Sequence, residues 1–175
     1  MKNTLVIFGH RSPAESKFGR ALFESVSSLT QITGHVLSTE YPSMKIDGER
    51  ERLLLDKHQN IVLQFPFYWY SSPAIVKEWL DEVLARGWAY GGGQALVGKK
   101  LLIAISTGGP EKVYQADGAN QFTITEFLRP FEQTANLCGM QWQEPFVMYG
   151  VRYLDDSKVA EYCERYRQTV LALSK

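Results

Sequence analysis

The stretch IVLQFPFYWYSSPAIVKEWLDEVLARG, residues 61–87, passes through three kinds of pattern. Residues 61–65 are an aliphatic run with little polar alternation, the mark of a strand covered on both faces, as in a parallel sheet. Residues 72–86 then carry Ile75, Val76, Trp79, Leu80, Val83 and Leu84 at helical spacing. Ser72 is placed to cap that helix, Pro73 suits its first position and Gly87 stops it. A doubly covered strand that runs through a loop into an amphipathic helix is half of a βαβ unit.

The same reading extends in both directions. Residues 5–8 and 101–105 repeat the buried-strand run. Phe18, Ala21, Leu22, Val26 and Leu29 form one helix face, with Ser16 as cap. Weaker strands are expected at residues 35–39 and 143–148, and helices near 49–56, 125–137 and 156–173; Pro130 must kink the 125–137 helix or lie in its first turn. The series predicts one domain over residues 1–175, a three-layer α/β sandwich around a five-stranded, doubly wound parallel sheet with right-handed crossovers. Ligands of such sheets bind beyond the C-terminal ends of the strands, where strand order reverses. Function is therefore expected in the loops after the first, third and fourth strands.

With 175 residues, 45% of them hydrophobic, the chain can bury one full core but not two ordinary ones. Lys plus Arg and Asp plus Glu both number 19, so no net field gathers nucleic acid or an anionic membrane. The apolar run at residues 5–9 is too short for a signal-peptide core or a membrane span, and cytoplasmic residence is expected. Cys138 and Cys163 make no CxxC, and His10, His35 and His58 lack metal-ligand spacing, which argues against a disulfide framework and a metal site.

The first loop, GHRSPAESK at 9–17, contains neither GxGxxG nor GxxxxGK[ST], which disfavours a dinucleotide-type Rossmann turn and a P-loop. Ser16 and the free N–H groups of the following helix can seat a phosphate, with Lys17 and His10 as added donors; alternatively Ser16 only caps the helix. The second loop holds four consecutive aromatics, Phe67, Tyr68, Trp69 and Tyr70, after Pro66. Side chains at every position around a turn cannot all reach one interior, which leaves surface for a planar ligand, a partner chain or both, against simple surface packing. The third loop, Ser106-Thr107-Gly108-Gly109, pairs glycines that let backbone approach a flat ligand, with left-handed φ open to both; a plain tight turn is the alternative. No GxSxG, HExxH or meaningfully spaced carboxylate pair is present, and Glu111 and Asp117 read as solvated charges. A phosphate seat, an aromatic wall and a binder for a carbonyl edge at one end of one sheet suit FMN.

The 10–16 loop, PFYWYSSPAIVKEWLD (66–81), GWAYGGG (87–93), STGG (106–109) and LRPFE followed by LCGM are together similar to the NAD(P)H dehydrogenase (quinone) family, over nearly the whole chain. The likeness is greatest to its small bacterial members, which include ancillary subunits of glutathione-gated potassium efflux systems. The resemblance implies a flavodoxin-like fold, FMN as cofactor, NAD(P)H as co-substrate and ping-pong hydride transfer to a quinone. It assigns His10, Ser16, Lys17, Phe18 and Gly19 to the FMN phosphate and ribityl chain, and the Pro66, Phe67, Tyr68, Trp69 and Tyr70 loop to the flavin wall. Ser106, Thr107, Gly108 and Gly109 are assigned to the N1/O2 edge, and Tyr114 to flavin and substrate. By the resemblance, Asn120 stands near the position of a histidine in animal quinone reductases and, unlike an imidazole, cannot accept a proton; Tyr114 and Asn120 are the candidate catalytic pair. Arg11 replaces a frequent proline and Gly19 a frequent asparagine.

In the same family the loop corresponding to GWAYGGG crosses to a partner, so a homodimer is expected, with Tyr90 near the other chain's FMN. The alternative is that Trp88 packs on its own core and Tyr90 stays at the surface. A different class of function is a regulatory flavoprotein that docks on a potassium efflux transporter at the inner face of the membrane. An electron-carrier flavodoxin is disfavoured by the neutral charge. Arg11 and Arg152 are candidates for contact with a nucleotide 2′-phosphate.

Overall fold

In the computed structural model, which describes residues 4–174, the three aliphatic runs are adjacent parallel strands: β1 (Thr4–Phe8), β3 (Asn60–Pro66) and β4 (Lys100–Ser106). All residues of β1 and β3 are buried, which is why their sequences lack a polar face. β2 (Ile32–Val36) pairs outside β1, and β5 (Gln141–Trp142) and β6 (Phe146–Met148) both pair with β4. The order β2-β1-β3-β4-β5, parallel throughout, is the flavodoxin-like arrangement. The chain steps outward from β1 to β2 and then back across to β3, so the switch in strand order falls between β1 and β3.

Alternate residues of β1 feed two cores. Val6 joins Leu22, Val26, Val62, Leu102 and Tyr166 beneath α1 (Lys17–Ser27) and α7 (Asp156–Ala172). Leu5 and Ile7 join Leu63, Trp79, Val83, Ile103 and Phe131 on the other face. That face carries α2 (Leu37–Glu40), α3 (Gly48–Asp56), α4 (Ala74–Val83), α5 (Ile124–Phe127) and α6 (Arg129–Leu137). Burial of each large aliphatic side chain contributes about 1.5–3 kcal/mol. A buried polar residue in β3 ties the α1 side together: the Gln64 amide donates to the Gly19 carbonyl at 2.7 Å, and its Oε1 accepts from the Tyr166 hydroxyl at 3.0 Å.

Four expectations shift. The second strand runs over Ile32–Val36, not 35–39, because the next four residues close a helical turn, with Tyr41 N–H donating to the Leu37 carbonyl. The helix expected at 72–86 is α4, whose N-cap is Pro73 at ψ 150, so Ser72 lies outside it. The 125–137 helix is two helices joined at Leu128, and Pro130 sits in the first turn of the second, where its missing N–H has no partner to lose. The 143–148 strand is two short pieces with Pro145 between them, where the ladder lacks a donor.

Candidate active site

The loops after β1, β3 and β4 converge at the C-terminal edge of the sheet, joined by the loop after β6. They enclose a groove of two compartments, about 330 and 420 Å³, which share Phe67, Gly108 and Arg152 as walls. The first compartment lies against the start of α1, and the second against Tyr114 and Asn120.

At the α1 end, Ser16 occupies the N-cap position but its side chain makes no cap hydrogen bond. Helix geometry leaves the Lys17, Phe18 and Gly19 N–H groups without intrahelical partners, and all three residues line the first compartment with Ser16. A Cβ on Gly19 would stand 2.7 Å from Ser16 Oγ and 3.1 Å from the Phe8 ring, so a larger residue here would require the Ser16 side chain to move. The Lys17 ammonium points to Asp156 at the start of α7, 3.2 Å away, an exposed pair that competes with any ligand for this cation.

His10 departs from its expected donor role. Its Nδ1 accepts the Ser12 backbone N–H at 2.9 Å, so the ring proton of the neutral form is on Nε2, which lies 3.0 Å from the Tyr68 hydroxyl. Both nitrogens are thus engaged within the protein, and burial holds the His10 pKa below its usual value. His10 positions the first loop against the second rather than offering a free donor.

The second loop is a tight hairpin. Tyr68 and Ser71 exchange backbone hydrogen bonds at 3.1 and 3.0 Å, and the corner residues Trp69 and Tyr70 have φ of 50° and 62°. Left-handed backbone at bulky aromatic residues costs on the order of 1 kcal/mol or more each and is typical of functional sites. Phe67 turns inward against Tyr114 and Phe127, and Tyr70 stacks on Phe127 at 5.2 Å. Trp69 remains 93% exposed, the side chain most freely offered to a ligand or partner.

The third loop is laced to the end of β6. Thr107 N–H donates to the Met148 carbonyl, the Thr107 carbonyl accepts from Val151, and its hydroxyl donates to the Gly109 carbonyl. Thr107 therefore holds the loop in place with no donor left for a ligand, whereas the N–H groups of Gly108 and Gly109 have no partner among the described residues. Neither glycine has positive φ, contrary to the left-handed option; what they provide is clearance. A Cβ on Gly108 would lie 3.2 Å from Arg152 Nε, and one on Gly109 2.9 Å from Val113 and 3.5 Å from the Tyr114 hydroxyl.

Tyr114 is buried, and Asn120 Oδ1 accepts from the Tyr70 hydroxyl at 3.3 Å, with both Tyr114 and Asn120 lining the second compartment. Tyr149, against the Tyr114 ring, is pushed up to about 12 by burial and by nearby Glu111. Tyr90 does not join these residues. Its loop connects the C-terminal end of α4 to the start of β4, hence lies at the opposite edge of the sheet, and Trp88 and Tyr90 are half-buried against the chain's own core. Arg152, read from sequence only as a nucleotide-phosphate candidate, lines both compartments. The signal that finds it is Gly150, left-handed at φ 64° just after the last strand, whose loop must meet the others at this edge.

Residues 2–170 match the sequence profile of a family described as having the flavodoxin-like fold. Over 163 residues the chain is 47% identical to an uncharacterized NAD(P)H oxidoreductase, YrkL, of Bacillus subtilis (93% of this chain, 94% of that protein). It is 44% identical over 163 residues to KefG, an ancillary protein of the glutathione-regulated potassium-efflux system of Pectobacterium atrosepticum (93% and 89%). Among solved structures it resembles a chain described as a thermophilic tryptophan halogenase from Streptomycin violaceusniger (TM-score 0.93, 44% identity, 95% of this chain and 98% of that one). It also resembles general stress protein 14 of Treponema denticola in complex with FMN (TM-score 0.92, 38% identity, 98% and 99%). An NADPH-quinone reductase from P. pentosaceus superposes with a TM-score of 0.89 at 33% identity (96% and 97%). No helix among the described residues is long and apolar enough to cross a membrane.

Proposed function

The chain belongs to the flavodoxin-like fold family, and on that premise we propose that it is an FMN-dependent NAD(P)H:quinone oxidoreductase. The observation that carries this reading is the groove at the β1/β3 switch, with the open N-terminus of α1 at one end and the Gly108–Gly109 backbone near the other. The donor set fits FMN: Ser16 and the first-turn N–H groups suit one phosphate, and the free glycine N–H groups with the Tyr114 hydroxyl suit a carbonyl-bearing ring edge. At Gly19 and Gly108 a Cβ would crowd the same space. The relatives named as an NAD(P)H oxidoreductase and an NADPH-quinone reductase, and the FMN complex of general stress protein 14, support it.

When bound, FMN would supply the two-electron redox chemistry between NAD(P)H and a quinone. The chain's own groups bind and orient. Ser16, Lys17, Phe18 and Gly19 hold the phosphate end; Pro66, Phe67, Tyr68 and Tyr70 form the wall; Trp69 covers the substrate side. Ser106, with the Gly108 and Gly109 N–H groups, faces the ring edge, where charge develops. A unit charge at about 4 Å and an effective dielectric of about 20 is worth about 4 kcal/mol, so these neutral donors contribute less each. Tyr114 and Asn120 present hydrogen-bond donors to the acceptor, and Asn120 carries no proton in the cycle.

The active unit in this reading is a homodimer in which, by the family resemblance, the GWAYGGG loop brings Tyr90 to the partner's groove, although within its own chain Trp88 and Tyr90 pack half-buried against the core. A second reading, favoured by the 44% identity to KefG, is that the protein also docks on a potassium efflux transporter, which would place it in the cytoplasm at the inner face of the membrane. The test is to purify the protein, identify the released cofactor by mass, and assay NADH and NADPH oxidation with a soluble quinone. FMN and quinone-dependent turnover are expected; a colourless protein indifferent to added FMN would end the proposal.

A further inference from the structure

Behind the Tyr68–Trp69 corner lies another cavity, of about 860 Å³, larger than either groove compartment. The corner is a shared wall: Tyr68 also lines the first compartment and Trp69 the second. A molecule draped over the exposed Trp69 indole can therefore reach groove and cavity together.

The cavity's chemistry is selective. Arg11 is the one charged residue among its described lining residues, no carboxylate faces it, and Arg11 makes no ion pair with any described residue. Four serines line it, Ser12, Ser38, Ser71 and Ser72. The Ser38 hydroxyl is buried and has no hydrogen-bond partner among the described residues, an orphan that a bound ligand would satisfy. The open Ala74 and Ile75 N–H groups at the start of α4, whose Pro73 cap makes no side-chain hydrogen bond, add donors. Hydroxyls, one free guanidinium and an aromatic wall match a phosphorylated nucleoside better than an apolar quinone.

We propose that this cavity is the nucleotide-specificity subsite, taking the adenosine end of NADPH, with Arg11 pairing the 2′-phosphate. The proposal rests on the oxidoreductase reading, because the nicotinamide end of the same molecule must lie in the groove. A guanidinium pairs a phosphate bidentately, and at the adenosine 2′-position NADH presents only a neutral hydroxyl in place of that phosphate.

The test uses the purified protein with 2′,5′-ADP and 5′-ADP as probes in calorimetric titrations, beside a separate FMN titration. Wild type is expected to bind 2′,5′-ADP about 10-fold tighter or more, the scale of one charge-assisted pair. Arg11→Gln should abolish that preference and leave FMN affinity unchanged, while Arg11→Lys restores part of it. Equal binding of the two probes by wild type, or a preference that survives Arg11→Gln, overturns the proposal. Loss of FMN binding by wild type would instead sink the oxidoreductase reading, and the two failures are read in separate titrations.

Discussion

His10 joins two loops: its Nδ1 accepts the Ser12 N–H at 2.9 Å while its Nε2 lies 3.0 Å from the Tyr68 hydroxyl. This geometry requires the neutral ring, and burial lowers its pKa from 6.5. Below pH 6.5 the unfolded chain takes up a proton that the folded ring resists, so His10 subtracts stability as the pH falls through 6.5 until the folded ring itself is protonated. Above that pH it subtracts nothing. Urea unfolding from about pH 7.5 to 5.5 should show wild type losing more stability than His10→Asn, by less than about 1.4 kcal/mol per pH unit. Parallel slopes would remove His10 from the titration.

Trp69 combines left-handed φ with near-complete exposure, so the folded chain gains little from its side chain. Asparagine tolerates that backbone better. Trp69→Asn is expected to leave the protein without FMN equally or more stable, by up to about 1 kcal/mol, and to raise the KM for NAD(P)H or quinone several-fold. A destabilised variant with unchanged kinetics would make Trp69 a packing residue.

Clearance at the third loop makes a graded expectation. Gly108→Ala meets only the flexible Arg152 side chain at 3.2 Å, whereas Gly109→Ala presses on Val113 at 2.9 Å and toward Tyr114. Turnover should fall more in Gly109→Ala than in Gly108→Ala. Gly108→Val, with its branched side chain toward the groove, should weaken FMN binding by about 10-fold or more, the worth of roughly 1.4 kcal/mol. Wild-type FMN affinity in Gly108→Val would misplace the ring edge.

Glu51, 1% exposed on α3, accepts from His35 Nε2 at 3.0 Å, Tyr41 Oη at 2.6 Å and Trp79 Nε1 at 2.7 Å. Burial pushes its carboxyl up, but the three donors outweigh it and the net shift is downward. Its contribution is present above the ordinary carboxylate pKa and is lost as the pH falls through the lowered one. Glu51→Gln turns an amide donor toward existing donors and should lower stability by about 2–4 kcal/mol in urea unfolding, with FMN affinity retained.

The interior strands were legible because a strand covered on both faces has nowhere to put polar residues, and β1, β3 and β4 are such strands. β2 was displaced by three residues because Gly34 weakens its signature. Yet glycine is needed there: a Cβ would stand 2.8 Å from Phe23 of α1, a contact visible only once the helix is packed. The aromatic loop announced itself by composition, but no glycine or asparagine flags Trp69 and Tyr70 as left-handed. The internal pairing of His10 and the enclosure of Thr107 depend on Tyr68 and Met148, tens of residues away in sequence. Arg152 is legible in the sequence only as a nucleotide-phosphate candidate, because its loop follows a strand broken at Pro145 and nothing local shows that it meets the groove.

The most direct test of the central claim is the visible flavin absorbance of the FMN-loaded protein under anaerobic conditions, followed through two additions. Adding NAD(P)H alone should bleach the band, and adding a quinone after the nucleotide is removed should restore it. A band untouched by NAD(P)H, or bleached but not restored by any quinone, would contradict the account.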